Sequence, residues 1–196
     1  MARDRAARPE AKALRLFVAV EVPAEARAAI EVAVAPWRDR LPRARWAPEE
    51  NWHVTLKFLG QTWPRLGTWV QERVGEAAAT CAPFETRLTA LGAFPEHGKA
   101  RVLWAGLDDD AGTMASLVGA LDDGLAREFA PESRAFSPHV TVARSDPPLA
   151  LPEGFRGSSL APVTFRVAGV TLFRSHLRRP APRYEPLARC SLGGAG

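Results

Sequence analysis

The stretch Asn51 to Gly60, NWHVTLKFLG, places a histidine two residues before a threonine, and His139-Val140-Thr141-Val142 repeats the arrangement. A neutral imidazole can take a proton from water, a protonated one can give a proton to a departing oxygen, and threonine hydroxyls can donate to phosphate oxygens. Two such pairs meeting in one cleft suit phosphoester chemistry. A single His-x-Thr would read as a hydrogen-bonded histidine in a sheet. Its repetition in a chain with only four histidines makes it a signal.

Side chains alternate across a strand, so each copy, read as a strand, puts histidine and threonine on one face. His53 and Thr55 then share a polar front with Lys57, while Val54, Leu56 and Phe58 point to the back. Val140 and Val142 lie behind His139 and Thr141 in the same way. Lys57 either draws phosphate toward the front or simply reaches solvent.

At 196 residues the chain can bury a core of its own. Its net charge of +4 and pI near 9.7 are compatible with an anionic partner. That bias is also what a GC-rich coding sequence produces, since Lys12, Lys57 and Lys99 are the only lysines. Cys81 and Cys190 are too few for a disulfide framework and wrongly spaced for zinc, which favours a reducing compartment. The opening residues lack the apolar core of a signal peptide, and no apolar run reaches the ~20 residues needed to span a bilayer. A cytoplasmic protein, not associated with membrane and monomeric, is expected.

The elements that must hold the two motifs follow from periodicity. Residues 1–13 read as a flexible tail, 14–190 as a single bilobal domain, and 191–196 as a C-terminal tail. Leu14 to Glu21 is apolar on both faces, as in a central strand. Pro23 starts a helix carried by Ile30, Val34, Trp37 and Leu41, with Pro36 predicting a kink or an early end. Arg43 to Ala47 reads as a short strand and Arg65 to Cys81 as a second amphipathic helix. Phe84 to Leu91 and Arg101 to Leu107 read as strands. The acids Asp108 to Asp110 suit the start of a helix whose stripe is Met114, Leu117, Val118, Leu121, Leu125 and Phe129. Asp146 to Ser159, rich in Pro, Gly and Ser, reads as a surface loop, and Val163 to Ser175 and Arg183 to Leu187 as the closing strands. The fold class is α+β: two similar lobes, each an antiparallel sheet with helices on its outer face, related by a pseudo-two-fold around a central cleft.

The blocks LRLFVAVEVP, NWHVTLKFLG, RVLWAGL, FSPHVTVAR and PRYEPL, in this order and spacing, resemble the RNA 2',3'-cyclic phosphodiesterases, also called 2'-5' RNA ligases, of the 2H phosphoesterase superfamily. The likeness runs from about Leu14 to Leu187. It implies a metal-free cleft without a cofactor, and hydrolysis of an RNA 2',3'-cyclic phosphate to a 2'-phosphate in RNA processing, with 2'-5' ligation in some members. By position it implies that His53 donates a proton to the departing 3' oxygen, that His139 activates water, and that Thr55 and Thr141 hold phosphate. It also implies a substrate contact for Arg144. Strict alternation would put Arg144 on the face opposite His139, so the strand must bend or end near Ala143.

Two other readings compete. A non-catalytic module of the same fold could bind nucleotides or RNA ends, although two proton-transfer groups are more than a binder needs. A metallohydrolase would want three or four protein ligands, and no HxH, HxxxH or nearby carboxylate pattern accompanies either motif. His97 reads as an exposed loop histidine, and His176 with Arg178 and Arg179 as a solvated charge run. Phe17 and Phe58 fall near the proposed cleft and could stack on a base or pack in the core.

Overall fold

Leu14–Glu21 (β1) is buried without interruption from Leu16 to Val20 and takes an interior place in the sheet, as its two-sided apolarity predicts. The structure, a computed structural model, describes residues 12–193, so the expected tail lies outside the described residues up to position 11. Helix α1 (Ala24–Arg38) starts after Pro23, whose fixed φ suits a helix entry, and buries Ile30, Val34 and Trp37 at helical spacing. Pro36 falls in its last turn, and the helix stops two residues later at Arg38, in line with the expected early end.

The remaining elements are β2 (Arg45–Trp46), β3 (His53–Thr62), α2 (Gly67–Ala79), β4 (Phe84–Phe94), β5 (Ala100–Leu107), α3 (Thr113–Leu125), β6 (His139–Leu149), β7 (Thr164–Val167), β8 (Gly169–His176) and β9 (Arg183–Ser191). The acids before α3 act through Asp109, whose carboxylate accepts the N–H groups of Met114 and Ala115 at 2.8 Å each. Met114, Leu117, Leu121 and Leu125 are fully buried. Phe129 lies beyond the helix end and stacks on Trp69, with ring centroids 6.5 Å apart.

All strand pairs are antiparallel, in the order β7-β4-β5-β6-β3-β1-β8-β9, with β2 added alongside β6. Counted outward from the middle, one lobe is β3, β1, β8, β9 and the other β6, β5, β4, β7. They join through one ladder pair, Val54↔Val140, and then diverge. That divergence opens the cleft. The α3 helix packs behind β3, and α2 packs on α3, β8 and β9. The α+β two-lobed arrangement is as expected.

Three expectations need correction. Val163 to Ser175 is two strands, split at Ala168, with β7 on the outer edge of one lobe and β8 inside the other. Gly169 follows the split because a Cβ there would meet the Cys190 carbonyl oxygen at 2.8 Å. The region read as a surface loop from Asp146 continues β6 to Leu149, and Phe155 within it is completely buried against Trp37, with ring centroids 5.3 Å apart. The C-terminal tail does not begin at 191: Ser191 ends β9, and Leu192 is buried with its N–H bonded to the Ala168 carbonyl at 2.9 Å. No helix among the described residues is long and apolar enough to cross a membrane.

Candidate active site

The face each side chain takes on β3 and β6 is decided by a bulge that both strands carry at the same place. Ala19 pairs with Thr55, but the next β1 residue, Val18, pairs with Lys57, so β3 has one residue too many. Likewise Trp104 pairs with Thr141 and Leu103 with Ala143, which leaves Val142 extra in β6. At a bulge two neighbours oppose one partner residue and the strand bends. Leu56 and Lys57 are therefore buried in succession, as are Val142 and Ala143.

The fifth residue after each histidine consequently returns to the histidine face. Arg144 reaches the cleft, which removes the conflict with strict alternation, and Phe58 lines the same cleft, contrary to its expected place at the back. Lys57 also needs correction. It does not share the front with His53: it is 6 % exposed, ion-paired with Asp122 of α3, and bonded through Nζ to the Ala130 carbonyl at 3.1 Å.

The two histidines are held alike. His53 Nδ1 lies 2.7 Å from the Asn51 carbonyl oxygen and His139 Nδ1 lies 2.7 Å from that of Ser137, in each case two residues upstream. A carbonyl can only accept, so Nδ1 carries the proton and Nε2 of the neutral ring is left as an acceptor. The register set by Val54↔Val140 puts His53 opposite Thr141 and Thr55 opposite His139. Both histidines and both threonines thus lie around the junction of the lobes.

Aromatic rings enclose both imidazoles. Phe17, Tyr184 and Phe173 surround His53 at centroid distances of 4.8, 5.2 and 6.3 Å. Phe94 and Trp104 stand 5.2 and 6.3 Å from His139. Gly92 supports this second box, since a Cβ there would lie 2.1 Å from the Trp104 ring. Burial is the largest influence on both pKa values, and nearby Arg144 acts in the same direction. His53 is lowered to about 4 and His139 is lowered as well.

The cleft has a volume of about 530 Å³. Its floor holds His53, Thr55, Phe58, Thr141 and Arg144, one wall is β2 with Ala47 and Pro48 after it, and the other is formed by Arg15, Tyr184 and the β8–β9 connection. His139 stands outside this lining, opposite Thr55. Three arginines and no carboxylate line the cleft, so its field favours an anion. Asn51 joins two of its parts: its carbonyl holds His53, and its side-chain amide donates to the Pro182 carbonyl at 2.7 Å. Among the described residues no group of three or more His, Cys, Asp and Glu is placed to hold a metal ion. A second cavity of about 320 Å³, beside Glu21 and Arg189, contains no residue of either motif.

Sequence reasoning missed Arg15, Arg45, Asn51, Phe94, Trp104 and Tyr184. Tyr184 lies in the PRYEPL block that carries the resemblance, and that was its only signal. His97 and His176 are not brought to the site. His176 instead pairs with Glu185 across β8 and β9, 2.6 Å apart.

A sequence profile of the 2'-5' RNA ligase superfamily matches residues 22–179. The chain is 32 % identical over 182 residues to a Geobacillus stearothermophilus protein named RNA 2',3'-cyclic phosphodiesterase, covering 91 % of this chain but only 57 % of that relative. It is also 32 % identical over 196 residues to the Thermus thermophilus protein of the same name, covering 92 % of this chain and 91 % of the relative. A crystal structure of Escherichia coli LigT complexed with 3'-AMP superposes with a TM-score of 0.70 at 27 % identity, covering 92 % of this chain and 99 % of that one.

Proposed function

Given that the chain belongs to the 2'-5' RNA ligase superfamily, we propose that it is an RNA 2',3'-cyclic phosphodiesterase working without a metal ion. The observation that carries this reading is the matched pair of histidines, each with Nδ1 fixed by a carbonyl and Nε2 free, at the junction of two lobes beside a cleft lined by arginines and threonines. The names of the relatives support the reaction class, and the 3'-AMP complex of LigT supports a nucleotide ligand.

In this reading His139 Nε2 takes a proton from water as the water oxygen attacks phosphorus. The bond from phosphorus to the 3' oxygen breaks, His53 gives that oxygen a proton, and the products are a 2'-phosphate and a 3'-hydroxyl. Thr55, Thr141 and Arg144 donate to the phosphate oxygens, where charge develops. His53 is neutral in the free protein near pH 7, and it acquires its proton when the anionic phosphate enters and offsets the cost of burying the charge. A 5'-hydroxyl in place of water would give a 2'-5' linkage by the same step.

Two imidazoles and hydroxyl donors can manage both protons and the developing charge on a strained cyclic ester. The cleft also has no carboxylate with which to complete a metal's ligand set. Alanine at either histidine should lower turnover by about 10² to 10⁴. Because the two act in one step, the double mutant should be little worse than the single mutants. A folded single mutant with near wild-type turnover would refute the two-histidine mechanism.

A further inference from the structure

Arg144 has a place in the proposed reaction, but Arg45 and Arg15 line the same cleft with no part in it. Arg45 belongs to β2, a strand of only two residues laid along β6 past the point where β3 turns away. The pairs Arg45↔Arg144 and Trp46↔Ala143 hold it there, together with the Ala47 N–H bond to the Val142 carbonyl at 2.8 Å. Two arginines directly opposite each other in a ladder repel. Among the described residues neither has a carboxylate within salt-bridge distance, and neither does Arg15 on the facing wall. A bound anion would relieve that repulsion. Since the proposed reaction assigns Arg144 to the reacting phosphate, the arrangement suits a ligand with more than one negative group.

A ribose closed into a 2',3'-cyclic phosphate can continue into a strand only through its 5' oxygen. The next phosphate therefore lies one nucleoside away from the reacting one. The same cleft exposes two apolar side chains that a nucleoside spanning that distance could cover, Phe58 at 65 % and Leu177 at 71 %. We infer that Arg45, with Arg15 across the cleft, forms a second anion subsite for the phosphodiester 5' to the terminal nucleotide. The preferred substrate is then an oligoribonucleotide and not a cyclic mononucleotide. This inference rests on the phosphodiesterase reading above for the identity of the terminal group.

The test compares a trinucleotide ending in a 2',3'-cyclic phosphate with the cyclic mononucleotide of the same terminal base, measuring kcat/KM and, separately, Kd against salt. Wild type should favour the trinucleotide by about ten-fold or more, the effect of one charge-assisted contact. Arg45→Gln should depress the trinucleotide about ten-fold more than the mononucleotide. It should also make the log Kd against log salt slope for the trinucleotide shallower by about 0.7, the share of one phosphate contact on a single strand. Arg45→Lys, which keeps the charge, should recover most of that slope. Equal losses on both substrates, or an unaltered slope, would overturn the second subsite while leaving the phosphodiesterase reading intact. If wild type turned over neither substrate, that reading would fall. The subsite would then stand or fall on whether Arg45→Gln weakens trinucleotide Kd more than mononucleotide Kd.

Discussion

Both catalytic candidates sit at the junction of the lobes as neutral rings with the proton on Nδ1, and this fixes the direction of their pH dependence. Burial disfavours the imidazolium, which lowers His53 to about 4 and lowers His139 below its ordinary value. The pH profile of kcat/KM reports the free protein, so its alkaline limb should fall below the ordinary imidazole pKa of about 6.5. In kcat the bound phosphate favours the protonated form, so the same limb should lie at higher pH. The apparent values belong to the interacting pair. His53→Ala should remove mainly the alkaline limb and His139→Ala mainly the acidic one, and the reverse result would exchange their roles. Folding is linked to the same shift. Because the folded pKa of His53 lies below the unfolded one, the unfolded chain binds the proton more readily. Stability present above about pH 6.5 is therefore lost as pH falls toward 4. Urea midpoints of wild type and His53→Gln between those limits should converge as pH falls, and parallel pH curves would show that burial of this ring is not responsible. The histidines and threonines were readable because a repeated pair of rare spacing survives without knowledge of the fold. Arg45 was not, because nothing in its neighbours shows that Arg144 lies opposite.

Within the strands, the paired bulges sort the residues that follow each motif. Alternation alone assigned Lys57 to the front and Phe58 to the back, and both proved wrong. A bulge depends on the register of the partner strand, and the run Leu56-Lys57-Phe58 carries no local sign of it. In β6 two successive apolar residues, Val142 and Ala143, were the available hint. Turned inward, Lys57 ties β3 to α3 through Asp122, whose side chain is itself only 15 % exposed. Removing one member of a buried pair leaves the other charge uncompensated, and Asp122→Ala should cost about 3 to 5 kcal/mol of stability. Asp122→Leu combined with Lys57→Met should lie much closer to wild type. Denaturant unfolding of the three proteins decides this, and a double mutant no better than Asp122→Ala would contradict the account. Completely buried Phe155 marks where the region expected as a surface loop at 146–159 departs from one: residues 150–158 are irregular, as its Pro and Gly predict, but its one large aromatic closes the core over Trp37. Phe155→Ala should cost about 3 to 5 kcal/mol in the same experiment.

Across the chain as a whole, two four-stranded lobes meet at Val54↔Val140 and part beyond it, so each contributes one His-x-Thr strand to a cleft that neither forms alone. Strand and helix positions were readable from periodicity because each amphipathic face records its own burial. The assignment of strands to lobes was not, since Val163 to Ser175 looks like one apolar segment, and only long-range pairing shows that β7 joins β4 while β8 joins β1. Arginines on three sides and no acid in the lining give the joint cleft its anionic preference. In the proposed mechanism this cleft opens a 2',3'-cyclic phosphate with the two histidines as its proton carriers and no metal ion. The deciding experiment incubates the protein in excess EDTA with an oligoribonucleotide ending in a 2',3'-cyclic phosphate and identifies the terminal group formed. The expected result is a rate unaffected by the chelator and a product carrying only a 2'-phosphate. Activity lost in EDTA and restored by zinc or manganese, or a 3'-phosphate product, would contradict it.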